Sequence, residues 1–145
     1  MIRLTRQYKF AASHRLHSEA LTEAENWQTY GKCNNPFGHG HDYVLQVVAS
    51  GPVDPVSGLL LNLAQLDLFV QRILLEDFQN GNLNDLDVFQ TLVPTTENLT
   101  LVAERRLNSA WPEAFAQSPV KLVGVRVLET ARNSFESSRI RNDRL

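Results

Sequence analysis

With one cysteine in 145 residues the chain cannot form an internal disulfide, so Cys33 is either a small buried apolar residue or a working thiol. Long apolar runs are also missing. Nothing approaches the ~20 residues of a membrane-spanning helix, and Met1 to Arg6 lead into no signal-like core. No membrane partner is expected, and the cytoplasm is the expected location. Charge of one sign is scarce too: 14 Lys and Arg face 16 Asp and Glu, a formal net charge of -2, so nucleic acid is not an expected partner. No internal repeat or low-complexity tract stands out. What remains is an ordinary globular composition, 43% hydrophobic and 21% charged, at a length that fits one domain over 1–145.

Against that plain background, the stretch Tyr30 to Tyr43 holds the single cysteine and two of the four histidines. His39 and His41 open an apolar run, and in a strand both imidazoles would leave the same face, a geometry that suits a metal. Gly38 and Gly40 flank His39 and leave space close to the backbone. A His-x-His alone fits equally well a hairpin strand whose histidines bond to their neighbours. A third ligand comes from residues 2–14, which alternate with Ile2, Leu4, Tyr8, Phe10, Ala12 and His14 on one face. An antiparallel partner beginning at His39 would bring His14 to the other two. A closed structural site, with Cys33 as fourth ligand, is the competing arrangement.

The remaining elements follow from periodicity. Residues 15–38 form a polar excursion with room for a helical turn near Glu19 to Asn26. Strand two carries His41, Tyr43, Leu45, Val47 and Ala49 on one face and stops in the Pro- and Gly-rich stretch 50–58. Asn62 is an N-cap for a helix over roughly 63–77, with Leu63, Leu66, Phe69, Val70, Ile73 and Leu74 on its apolar side. After a polar loop over 79–94, Thr95, Thr96 and Glu97 start a second helix, and helix capping alone accounts for them. From Val120 the period returns to two, and Val123, Val125 and Val127 are continued on the same face by Glu129. A carboxylate in that row needs an internal partner such as an arginine, or a ligand edge. Residues 132–145 carry only Phe135 and Ile140 as main apolar residues, which supports a weak fourth strand and a loose basic tail.

This order of elements, with Phe10-Ala11-Ala12-Ser13-His14-Arg15-Leu16-His17, Tyr30-Gly31-Lys32-Cys33-Asn34-Asn35-Pro36, Gly38-His39-Gly40-His41, Asp54-Pro55-Val56, Asn62-Leu63, Thr95-Thr96-Glu97-Asn98 and Glu129-Thr130, resembles the 6-pyruvoyltetrahydropterin synthase family over nearly the whole chain. Five residues between Cys33 and His39 resemble the pyruvoyl branch rather than the 6-carboxytetrahydropterin synthases. The resemblance implies an α+β tunnelling fold, a small antiparallel sheet in the order β-β-α-α-β-β backed by two helices. Such chains assemble into a barrel as a homohexamer, a dimer of trimers, with active sites between subunits. It also implies a zinc-dependent lyase that converts 7,8-dihydroneopterin triphosphate by eliminating triphosphate and shifting hydrogens in the side chain, without a redox cofactor. By position, His14, His39 and His41 would be the zinc ligands, Cys33 the general base, and Thr95, Thr96, Glu97 and Glu129 the pterin pocket. Zinc beside Cys33 is expected to favour its thiolate.

One motif departs from the family. Where its members carry an Asp-His pair after the first helix, an ungapped alignment from Asn62-Leu63 to Asn82-Leu83 places Gln79 and Asn80. Neither amide titrates near neutral pH, so neither returns a proton as an imidazole does. The alternatives to the ordinary synthase reaction are therefore a divergent or non-catalytic pterin-binding homologue and a side-chain-cleaving enzyme acting on a dihydropterin.

Overall fold

Two long strands, β1 (Ile2–His14) and β2 (His39–Gly51), pair antiparallel over their full length, from Ile2 opposite Gly51 to His14 opposite His39. This computed structural model describes residues 1–137. Alternation puts Phe10, Ala12 and His14 of β1 and Tyr43, Leu45, Val47 and Ala49 of β2 on the buried face, as the period of two requires. Arg6 occupies the same row, and its guanidinium reaches a partner: Nε and Nη2 donate to the Asp67 carboxylate at 3.0 and 2.9 Å, and the Tyr8 hydroxyl donates to it at 2.7 Å. Strand β3 (Lys121–Leu128) follows β2, and β4 (Ser134–Glu136) follows β3, giving an antiparallel sheet in the order β1-β2-β3-β4.

The helical segments over 63–78 and 96–114 cover the buried face of that sheet. The polar excursion contains a full helix, α1 (Glu23–Tyr30), longer than the single turn expected there. Thr22 accepts from the Glu25 amide while the Glu25 side chain accepts from the Thr22 amide, a reciprocal capping box that stabilises so short a helix. The first helix of the apolar pattern begins as α2 (Leu63–Val70), with Asn62 capping it, runs through a π turn (Gln71–Leu75) and ends as α3 (Glu76–Phe78). The π turn advances the buried face by one residue. Leu74, Leu75 and Phe78 are buried, whereas Leu63, expected on the apolar face, is 40% exposed. Asp77 is left outside, where it accepts from Arg106 at 2.7 Å.

The loop over 79–94 is more ordered than its composition suggests. Two 3-10 turns, Leu83–Asp85 and Asp87–Gln90, bury Leu83 and Phe89. Helix α4 (Thr96–Ala114) then packs Leu99, Val102, Ala103, Leu107 and Trp111 against the sheet, with Thr95 as the expected cap. The expected fourth strand is short, and the basic tail with Ile140 lies outside the described residues. Among the described residues no helix is long and apolar enough to cross a membrane.

Candidate metal and pterin site

The β1–β2 register decides where the imidazoles meet. His14 and His39 are opposite each other at the end of the ladder, and His41 stands two residues further along β2. Their Nε2 atoms converge: His14 to His39 is 3.1 Å, and His39 to His41 is 2.9 Å. Gly38 makes this approach possible, since its φ is +69° and a Cβ there would lie 2.7 Å from the His14 carbonyl oxygen.

The tautomer of His14 is fixed by its surroundings. Nδ1 donates to the Pro94 carbonyl oxygen at 2.8 Å, because a carbonyl can only accept, and Nε2 therefore presents a lone pair to the cluster. Burial pushes the His14 pKa down to about 4, and burial followed by the neighbouring His41 lowers that of His39. Convergent ring nitrogens of this kind are what a cation requires. The three residues thus fit a metal ion, with a backbone carbonyl orienting one ring from behind, as second-shell groups do. Tyr43 closes the inner side of the cluster, edge-on to His14 and His41 and stacked on Phe10.

A pH dependence follows from His14. Its folded pKa lies below the unfolded value of 6.5, so the unfolded chain takes up the proton first. In chelator-treated protein, stability is expected to hold above about pH 6.5 and to fall progressively by about 3 kcal/mol as the pH drops toward 4. Urea unfolding at a series of pH values checks this. His14→Gln is expected to flatten the profile over that window.

Glu129 joins the cluster just beyond the end of β3. Its Oε1 is 3.2 Å from His41 Nε2, and its backbone amide donates to the Asn133 carbonyl across the β3–β4 turn at 3.1 Å. The partner of this buried-row carboxylate is a histidine rather than the arginine considered from sequence. Cys33 sits on the 3-10 turn Gly31–Asn34, half-buried and within electrostatic reach of Glu129 and Tyr43. Burial, then the Glu129 charge, raise the Cys33 pKa. The chain's own groups thus favour the thiol, and only added positive charge would favour the thiolate.

The threonines and Glu97 separate. Thr95 spends its hydroxyl accepting from the Asn98 amide at 3.2 Å. Thr96 is buried close to Tyr43, and its Oγ1 makes no hydrogen bond of good geometry. Glu97 is exposed and lines a different groove with Thr100, Arg126 and Phe135, so within one chain it does not meet the histidines. Gln79 and Asn80 leave α3 along the outer edge of β1, where the Asn80 amide donates to the Ala11 carbonyl at 2.7 Å. Asn80 borders a cavity of about 410 Å³ that also touches His41 and Asp42. Two contributors had no signal in residue patterning: the Pro94 carbonyl, which is backbone, and the wall formed by Tyr43, whose place in an apolar row reads as core.

Comparison with known proteins identifies the family. Residues 3–139 match the family model for 6-pyruvoyl tetrahydropterin synthase. The 6-pyruvoyl tetrahydrobiopterin synthase of Poecilia reticulata is 39% identical over 131 residues, covering 90% of this chain and 85% of the relative. That of Homo sapiens is 37% identical over 131 residues, covering 90% and 86%. The solved 6-pyruvoyl tetrahydropterin synthase of Caenorhabditis elegans superposes with a TM-score of 0.83 at 39% identity, covering 94% of each chain. The Plasmodium vivax enzyme, at 13% identity and a TM-score of 0.62, shares the fold. A match over nearly the whole sequence, a common fold and relatives well above 30% identity together place the chain in the 6-pyruvoyl tetrahydropterin synthase family of pterin lyases.

Proposed function

We propose that the protein is a zinc-dependent lyase acting on 7,8-dihydroneopterin triphosphate or a close relative, eliminating triphosphate with hydrogen shifts in the side chain. The observation that carries this reading is the convergence of His14, His39 and His41 with Glu129 at 3.2 Å from His41, and with Cys33 within electrostatic reach of Glu129. Three imidazole ligands leave open positions, and zinc held there supplies Lewis acidity to the oxygens of a bound side chain. Cys33 takes a proton from the adjacent carbon. Glu129 accepts two N–H bonds from the amino and ring-nitrogen edge of the pterin, which fixes the ring and so the carbon that faces the thiol. Thr96, buried close to Tyr43, and with it Thr95 and Glu97 are further members of the pterin pocket in the assembled protein.

The sheet edge supports an assembly of several copies. β1 is an edge strand of the sheet, and near Ala11 to Ser13 its outer side bonds to residues 80–82. An edge strand of 13 residues is a ready template for pairing with another chain. We take the chain as one domain that closes a barrel with its copies as a homohexamer, a dimer of trimers, in the cytoplasm.

A second reading is favoured by Gln79 and Asn80, whose amides carry no titratable proton, although Asn80 lines the cavity that His41 borders. It makes the protein a pterin binder, or a lyase that needs fewer proton transfers. Glu129 tests the pterin site under either reading. Glu129→Gln keeps the shape but presents a donor to a donor edge, so pterin affinity measured by calorimetry is expected to fall ~10–100-fold. Urea stability is expected to change little. Unchanged affinity in Glu129→Gln and Glu129→Ala would make Glu129 a structural residue.

A further inference from the structure

We propose that Arg15, Asn34 and Asn84 form a positioning clamp that fixes Cys33 relative to the histidine cluster. The proposal rests on the reading of Cys33 as the proton-abstracting thiol. Cys33 stands on a four-residue turn that contains no buried residue, so packing does not hold it in place. Hydrogen bonds to residues 15–17, the segment directly after the ligand His14, do so instead.

The clamp starts at Asn84. Its Oδ1 accepts from the Arg15 amide at 2.7 Å and its Nδ2 donates to the Arg15 carbonyl at 2.9 Å, so one side-chain amide replaces a neighbouring strand. Asn84 is itself anchored, with its amide donating to Asn82 Oδ1 at 3.0 Å and its carbonyl accepting from Gln90 at 2.8 Å. Arg15 then reaches across to the cysteine turn, where Nε donates to the Asn34 carbonyl at 3.1 Å. Asn34 reaches back, its Nδ2 donating to the Leu16 carbonyl at 2.8 Å and to His17 Nδ1 at 3.0 Å. The Leu16 amide closes the circuit on the Cys33 carbonyl at 2.8 Å.

The Arg15, Asn34 and Leu16 links tie the segment following His14 to Cys33 and Asn34, and Asn84 ties Arg15 to the loop at Asn82 and Gln90. The thiol and the metal ligands therefore share one rigid frame, although 19 positions separate His14 from Cys33 in sequence. A displacement of ~1 Å at a reacting group costs ~10²-fold in rate. Asn84 also has to be an amide, since an aspartate there accepts from the Arg15 amide but cannot donate to its carbonyl.

The test uses Asn34→Ala and Asn84→Ala in the full chain loaded with zinc, with Asn84→Asp and Arg15→Lys as milder variants in case the alanines do not fold. Zinc content and KM are expected to stay near wild type while kcat falls ~10–100-fold. Asn84→Asp and Arg15→Lys are expected to fall between the wild type and the alanines. The single cysteine gives a readout that does not need turnover: the rate of Cys33 alkylation by iodoacetamide is expected to change severalfold in each clamp variant. Wild-type kcat and alkylation rate in the clamp variants, or kcat losses that track zinc and folded fraction alone, overturn the clamp. Full turnover by Cys33→Ala instead overturns the reading of the thiol, and the two failures are thereby told apart.

Discussion

His39→Ala is expected to purify with almost no zinc, against about one equivalent per chain for the wild type, and His41→Ala to behave the same way. Both rings point Nε2 into the cluster, and with either removed two imidazoles remain, too few for a stable site. His14→Ala is expected to lose zinc and also stability, because His14 is 1% exposed and leaves the Pro94 carbonyl without its donor. His17→Ala provides the control. His17 accepts from Asn34 Nδ2 and lies 3.8 Å from Glu19, away from the cluster, so its removal is expected to leave zinc unchanged. Elemental analysis after gel filtration decides the matter, and wild-type zinc in both His39→Ala and His41→Ala would mean that the metal assignment is wrong.

Gln79→Asp combined with Asn80→His is expected to raise lyase turnover by ~10²–10⁴-fold, the usual contribution of a positioned acid-base pair. Cys33 can take a proton but, with its pKa raised by burial and by Glu129, it is held as the thiol when no cation is near. Returning a proton to the substrate needs a second group that titrates near neutrality. Asn80 already lies at a cavity shared with His41, and its backbone is pinned to Ala11, so an imidazole there enters an existing space rather than a loop of uncertain path. Its φ of 59° is a conformation that asparagine tolerates and histidine adopts less readily, which argues for the lower end of the range. A double replacement that slows an already rapid wild type would show that another group carries the proton.

The strands and the meeting of the three histidines were legible in the sequence because a period of two, together with an antiparallel partner starting at His39, leaves one register. The apolar face of the helix over 63–78 was legible from Leu66 to Leu74 and not beyond, since a π turn breaks the 3.6 period on which the reading depends. Helix α1 was under-read although Thr22 and Glu25 carry the spacing of a capping box. Leu83 and Phe89 are buried from 3-10 turns, whose spacing leaves no amphipathic signature. In the site, side chains were easier to find than backbone: Asn34 and Arg15 lie within quoted motifs, yet only the structure shows that they join the Cys33 turn to the residues after His14.

The most direct test of the central claim is incubation of the zinc-loaded protein with 7,8-dihydroneopterin triphosphate, followed by identification of the pterin product and of the released phosphate species. The lyase reading predicts inorganic triphosphate in step with a 6-pyruvoyl product, and loss of both in Cys33→Ala. Tight binding of the substrate with no triphosphate released, by a protein holding its full zinc, would contradict it and leave a pterin-binding protein.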